Sequence, residues 1–179
     1  MLTDEQLMYQ LKNGQYNTAD VLYSRYKRPL LGYFINNISD KDLSEDLVQL
    51  TFEKMIKFRE KYNNTGLFKA WLFTIARNTM YDFLEKRKRT RSNYIKTDIP
   101  DILTSDSYDE ESDRVYKMKR ALNNISEEKR ELISMVKLQG MRYKDAALIY
   151  NTTEGNIKIK VFRILKELRE LMQIEEKVS

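Results

Sequence analysis

The sequence predicts an all-α protein of two small helical domains joined by a flexible acidic linker, and three observations carry that prediction. Glycine (5) and proline (2) are scarce in 179 residues, while Leu, Lys, Glu, Arg, Ile and Met, which lose least on entering a helix, abound. Apolar residues recur at spacings of three and four, the period of helices with one buried side. Charge is segregated along the chain: residues 1–91 carry 16 basic and 11 acidic side chains (net +5), residues 92–113 carry 1 and 7 (net −6), and residues 114–179 carry 15 and 9 (net +6). The expected organisation is therefore a domain over 1–91, a linker over 92–113 and a domain over 114–179.

Composition also excludes. There is no Cys, so no disulfide, thiol chemistry or Cys-ligated metal, and no His, the commonest general base and transition-metal ligand. No run approaches eighteen apolar residues, and MLTDEQLMYQL has neither the basic leader nor the apolar core of a secretion signal. The expectation is a cytoplasmic protein that holds no metal or cofactor and performs no catalysis. Two basic modules on one chain suit a partner with two separated anionic sites, such as duplex DNA.

The first helix opens at a capping box, Thr3 with Gln6, ahead of Leu7, Met8 and Leu11, and Asn13-Gly14 ends it. Thr18 is placed to cap the second, whose inward stripe is Leu22, Tyr26, Leu30 and Phe34, and Pro29 within it predicts a kink or a break. In NISDKDLSEDLVQLTFEKMIKF, Ser39 or Ser44 can cap a third helix. Its apolar belt (Leu43, Leu47, Leu50 and Phe58, widened by Val48, Phe52 and Met55) exceeds one core face. Either two sides are buried or one awaits a protein partner. REKYNNTG reads as a polar turn, in which Tyr62, Asn63 and Asn64 either close the turn or reach bases.

LFKAWLFTIARNTMYDFLEKRKRTR is the central helix. Phe68, Trp71, Leu72, Ile75, Thr79 and Phe83 mark its core side, Arg77, Asn78, Tyr81, Asp82 and Glu85 fall on other faces, and Lys86, Arg87, Lys88, Arg89 and Arg91 make its end basic. Such a helix can be held rigidly while presenting itself to a polyanion. Residues 92–113, with Pro100 and the DEESD run, lack helical period and read as the linker, about 20 residues that can span several tens of ångströms.

Helical pattern resumes at Val115–Leu122. A further helix begins at Ser126 with Glu127 and Glu128, includes Leu132, Ile133, Val136 and Leu138, and closes at Gly140. A short helix with Ala146 and Ala147 then meets the turn Asn151-Thr152-Thr153, Asn151 tolerating a left-handed backbone and Thr153 capping the last helix. That helix should bury Ile157, Val161, Ile164, Leu165, Leu168 and Leu171 and present Gly155, Asn156, Ile159, Phe162, Arg163 and Lys166, with Lys158 and Lys160 on its flanks. Small-residue helix, tight turn and basic second helix form the helix-turn-helix pattern, whose second helix enters the major groove. A plain helical hairpin has a similar outline, but the basic outer face favours DNA, and an exposed Ile159 or Phe162 would find use against a thymine methyl.

Taken together these segments resemble the extracytoplasmic-function (ECF) group of alternative sigma factors of bacterial RNA polymerase. DLSEDLVQLTFEKMIKF is similar to that family's polymerase-binding helix, FKAWLFTIARNTMYDFLEKRKR to its promoter-melting helix, and ISEEKRELISMVKLQGMRYKDAALIYNTTEGNIKIKVFRILKELRE to its C-terminal promoter-binding domain. The resemblance implies an initiation subunit that binds core RNA polymerase and the minus-10 and minus-35 promoter elements, promotes melting, and leaves nucleotide chemistry to the polymerase. It implies that Asp46, Leu47, Gln49, Phe52 and Met55 grip the polymerase clamp helices. It implies that Asn78 lines the pocket for a flipped minus-10 base, beside Arg77 and the loop Tyr62, Asn63 and Asn64, with Lys86, Arg87, Lys88 and Arg89 along the phosphates. On the minus-35 helix it places Asn156, Lys158, Ile159, Lys160 and Arg163. It further implies an anti-sigma partner and a monomer when free. Three departures qualify the resemblance: Leu50 stands where the family often has an acid, which bears on the polymerase interface; Arg142 replaces a common capping Ser or Thr, so its helix is expected to start less firmly; Asn156 and Ile159 replace frequent Thr and Ser on the reading helix, which leaves the DNA sequence read there open. From the charge alternation, the acidic strip of the free chain is expected to lie against a basic face and suppress promoter binding. Without the resemblance, a stand-alone DNA-binding regulator and a protein-only adaptor stay open.

Overall fold

In the computed structural model the described residues are 1–63, 67–91 and 110–178, with side chains of residues 90–91, 110–114 and 174–178 left aside. They form eight α-helices: α1 (Asp4–Lys12), α2 (Thr18–Ile38), α3 (Lys41–Lys57), α4 (Phe68–Arg91), α5 (Glu110–Asn124), α6 (Glu127–Ile133), α7 (Tyr143–Ile149) and α8 (Glu154–Val178). The all-α class follows the sequence, and among the described residues there is no strand. Asn64 and residues 92–109, which hold most of the expected linker, lie outside the described residues; α5 begins at Glu110, inside the segment read as linker.

The helix starts show where local chemistry decides and where it is overridden. The Thr3 hydroxyl accepts from the Gln6 N–H at 3.2 Å while the Gln6 amide oxygen accepts from the Thr3 N–H at 2.9 Å, the expected capping box. Thr18, by contrast, lies inside α2, its hydroxyl donating to the Gln15 carbonyl at 2.7 Å. α3 is capped by Asp40, which accepts from the Leu43 N–H at 3.0 Å, rather than by Ser39 or Ser44. Ser39 instead closes α2 in the left-handed conformation (φ 59°), and Ser44 is buried. Helix α2 runs unbroken through Pro29. It packs against α1, α3, α4 and α6, and that lateral support outweighs the roughly 3 kcal/mol that an interior proline costs a helix.

The first domain, α1–α4, buries Leu7, Met8 and Leu11 of α1, Leu22, Tyr26, Leu30 and Phe34 of α2, Leu47, Val48, Phe52 and Met55 of α3, and Phe68, Leu72, Phe73, Ala76 and Met80 of α4. Asp4 ties α1 to α2 by accepting from Arg25 and from the Tyr26 hydroxyl. Residues Arg59–Lys61 form a 3-10 turn that delivers Tyr62 into the core, where its ring meets those of Phe68 (6.1 Å) and Trp71 (5.2 Å). In the second domain, α5, α6 and α7 pack around α8. A π-helical turn over Ser134–Leu138 follows α6, and Gly140 (φ 61°) then turns the chain. Among the described residues no helix is long and apolar enough to cross a membrane.

Tyr62 is only 2 % exposed, and burial is the first cause pushing its phenol up to about 12. Tyr62→Ala should therefore lower unfolding stability by about 3–5 kcal/mol, the cost of emptying an aromatic core site, measured by urea denaturation; a surface base-reading residue would show almost no loss. Since the folded pKa lies above the unfolded value of 10.0, this phenol's contribution is intact below pH 10 and fades as pH rises toward 12.

Candidate nucleic-acid interface

The outward face of α8 is built by the turn before it. Asn151 takes the left-handed conformation (φ 47°), and the Thr153 hydroxyl accepts from the Asn156 N–H at 3.2 Å, so the helix starts on the residues expected of it. Ile157, Val161, Ile164 and Leu168 then face the core of the second domain. Asn156, Lys158, Ile159, Lys160 and Arg163 are all exposed, as is Phe162; Ile159 is 51 % and Phe162 71 % accessible. Leu165, expected inside, is exposed with them. The charges here are held loosely: Lys158 pairs with Glu154 at 2.8 Å and Lys160 reaches Glu128 only at 4.0 Å, both across open surface. An isoleucine and a phenylalanine standing in water among lysines and an arginine form a surface that can contact phosphates and thymine methyls together. At the head of α7, Arg142 caps nothing but holds the buried Asp145 at 3.0 Å, an anchor unlike the usual hydroxyl.

On α4, Asn78 is exposed and Lys86, Arg87, Lys88 and Arg89 ring the basic end, Arg89 bonded to Glu85 at 2.7 Å. On α3, Asp46 and Gln49 face outward beside Leu50, which is 39 % exposed, whereas Leu47, Phe52 and Met55 belong to the core. In the free chain these three fill the domain's own core. Tyr62 is buried as well, while Asn63 stays at the surface.

Arg77 has a different setting. Lys69, Phe73, Arg77 and Tyr81 recur every fourth residue of α4 and form a second packed side, which meets the second domain. At its centre lies Glu131 of α6, 0 % exposed. Its carboxylate accepts from the Tyr33 hydroxyl at 2.8 Å, from Arg77 Nε at 3.0 and 3.2 Å, and from the Tyr81 hydroxyl at 3.1 Å. The guanidinium lies 5.0 Å from the ring centres of both Tyr81 and Tyr150. Lys69 donates to the Gln139 carbonyl at 3.2 Å, and Gly32 lets α2 approach so closely that a Cβ there would meet the Gln139 side chain at 2.7 Å. Burial pushes the Tyr33 phenol well above its ordinary range, with Glu131 adding to the rise, so its proton stays in place to donate. Sequence reading missed this cluster because its members come from α2, α4 and α6. The signal within the sequence was the extra width of the α4 belt, where Phe73, Ala76 and Met80 broaden the stripe that runs from Phe68 to Phe83.

Two family models match the chain: Sigma-70 region 2 over residues 22–90 and Sigma-70 region 4 over residues 117–168. The chain is similar to the ECF RNA polymerase sigma factor SigF of Caulobacter vibrioides, 31% identical over 145 residues that cover 80% of this chain and 79% of that protein. It is 28% identical over 158 residues to the ECF RNA polymerase sigma factor SigM of Bacillus subtilis, covering 86% and 94%. Among solved structures it resembles the sigma factor RpoE of Bartonella quintana, in complex with the anti-sigma factor NepR, at 31% identity and TM-score 0.67, over 87% of this chain and 96% of that one. CnrH, in complex with the cytosolic domain of CnrY, shares the fold at TM-score 0.72 and 19% identity, over 96% and 97%.

The face assignment on α8 has a direct test. Ile157→Ala should cost about 2–5 kcal/mol in chemical unfolding, while Ile159→Ala should stay within about 0.5 kcal/mol of the parent. Equal losses at both positions would mean the helix is rotated from this setting.

Proposed function

The chain belongs to the ECF family of RNA polymerase sigma factors, and on that premise we propose how its surfaces divide the work of promoter recognition. Asn156, Lys158, Ile159, Lys160 and Arg163 of α8 read the minus-35 element, the cations positioning the helix on phosphates while Ile159 packs against a base-edge methyl. Asn78 lines the pocket for a base extruded from the minus-10 element, with Asn63 and Asn64 in the adjoining loop and Lys86, Arg87, Lys88 and Arg89 along the backbone. Extrusion costs a few kcal/mol, which pocket and phosphate contacts offset. Asp46 and Gln49, with Leu50 between their turns, meet core polymerase; Leu47, Phe52 and Met55 act behind them by holding α3 in place, as Tyr62 does for the loop.

One observation carries this reading: α8 spends Ile157, Val161, Ile164 and Leu168 on its own core while leaving a basic and apolar side uncovered. A helix anchored on one side and open on the other can enter a groove without unfolding. The chain itself performs no nucleotide chemistry, works in the cytoplasm as a free monomer until polymerase takes it, and is held by an anti-sigma factor when not in use.

Binding to core polymerase, followed by transcription from a randomised promoter library, tests the whole assignment. The expected result is recruitment and enrichment of a two-box motif. Failure to bind polymerase with specific duplex binding retained would point to a stand-alone regulator, and failure of both to a protein adaptor. Asn78→Ala should lower open-complex formation, read with a fluorescent promoter, far more than binding to a pre-melted template. Neutralising Lys86 and Arg87 together should flatten the logarithmic salt dependence of duplex binding by roughly 0.9 for each phosphate that is no longer neutralised.

A further inference from the structure

We propose that α1 is a brace for minus-10 reading, in which Lys12 and Glu5 are positioning residues that fix the loop carrying Asn63 against the helix carrying Asn78. This rests on the reading of Asn63 and Asn78 as minus-10 residues and adds what sets their spacing. The match to Sigma-70 region 2 begins at residue 22, so α1 stands outside it. Glu5 and Lys12 are seven positions apart, two turns of helix, and therefore share one side of α1. From that side they reach backbone groups far along the chain. Lys12 Nζ donates to the Tyr62 carbonyl at 2.8 Å and to the Glu60 carbonyl at 3.4 Å, and the Glu5 carboxylate accepts from the Phe68 N–H at 3.2 Å. Tyr62 immediately precedes Asn63, and Phe68 opens α4. One helix thus holds both ends of the loop between them.

The signs of the charges suit this task. The carbonyl end of the Arg59–Lys61 turn attracts a cation, and the first N–H groups of α4 attract an anion, while α4 has no acidic residue of its own in its first turn. Read locally, Glu5 and Lys12 are only the acid and the base that complement the dipole of α1 itself. The brace is anchored in turn: Leu7, Met8 and Leu11 are buried, and Asp4 accepts from Arg25 and from the Tyr26 hydroxyl of α2. The ties at Tyr62 and Phe68 are both partly buried, where a hydrogen bond to a charged group is stronger than in open water. Reading a base needs polar groups held to within about 0.5 Å, and Asn63 and Asn78 come from separate segments. The packing of the Tyr62 ring on Phe68 and Trp71 tolerates sliding, whereas charged contacts at both ends of the loop do not.

The test uses the full chain assembled with core polymerase and a promoter library randomised at the minus-10 and minus-35 elements. Lys12→Met, which keeps the stem and removes the ammonium, and Glu5→Ala should each cut the preference among minus-10 bases about tenfold, the scale of one hydrogen bond to a charged group. Preference at the minus-35 element and affinity for core polymerase should stay within about twofold, as expected of distant sites. Lys12→Arg, which keeps donors at this position, should behave as the parent. Hydrogen exchange on the free chain reads the brace itself: the Phe68 amide should exchange faster in Glu5→Ala, and the Tyr62 and Asn63 amides faster in Lys12→Met. Both substitutions leave the apolar side of α1 intact, and thermal unfolding checks that the chain stays folded. Leu30→Val, a core change in α2, lowers stability while leaving both ties in place. Unchanged exchange at these amides, or an unchanged minus-10 preference in both variants, would overturn the brace, and so would an equal loss of preference in Leu30→Val. Faster exchange in the variants of a parent that shows no minus-10 preference would uphold the brace and count against the promoter reading beneath it.

Discussion

A carboxylate with no access to water must be matched donor by donor, and Glu131 is matched by groups that its own domain does not supply. Leaving any of them out would strand a buried charge, so α2 and α4 have to arrive together, at one rotation and one depth. The close pass of Gly32 against Gln139, the turn of Phe73 toward Tyr33 (5.7 Å between ring centres) and the reach of Lys69 to the Gln139 carbonyl follow from that register. The relative placement of the two domains depends on this one acid more than on any apolar contact, because apolar contacts tolerate sliding and a multiply bonded carboxylate does not.

The consequence for promoter recognition lies in how α4 divides its circumference. One side is core, carrying Phe68, Leu72, Ala76 and Thr79; a second, through Phe73, Arg77 and Tyr81, is committed to the other domain; Asn78 and the basic end stay in solvent. A helix so committed is half available: its basic end stands in solvent while Arg77 is held by Glu131. Charge steering acts over about a Debye length and needs no opening.

On α8 the division is simpler. The buried stripe and the open side are set within one helix by the 3.6 period, with Leu165 exposed and Leu171 half-buried where the stripe was expected to cover both. On α3 the belt that looked too wide for one core face is mostly core, with Leu50 the part left over. Leu47, Phe52 and Met55 hold α3 in the core and so set where Asp46 and Gln49 stand at the surface.

What the sequence determined by itself was whatever depends on neighbours a few residues apart. Helix period, the Thr3–Gln6 box, the left-handed turn at Asn151, the cap at Thr153 and the solvent-facing residues of α8 are local matters, and each was readable. Local competition already blurred some of them, as when Asp40 took the cap expected of Ser39 or Ser44. The tertiary structure alone decided that α2 would survive Pro29, that Tyr62 would enter the core, and that Arg77 would face a glutamate 54 positions away. Those outcomes rest on surfaces assembled from distant segments, where burial and pairing set the energy, and no periodicity in the chain encodes which charged residue another helix will bring.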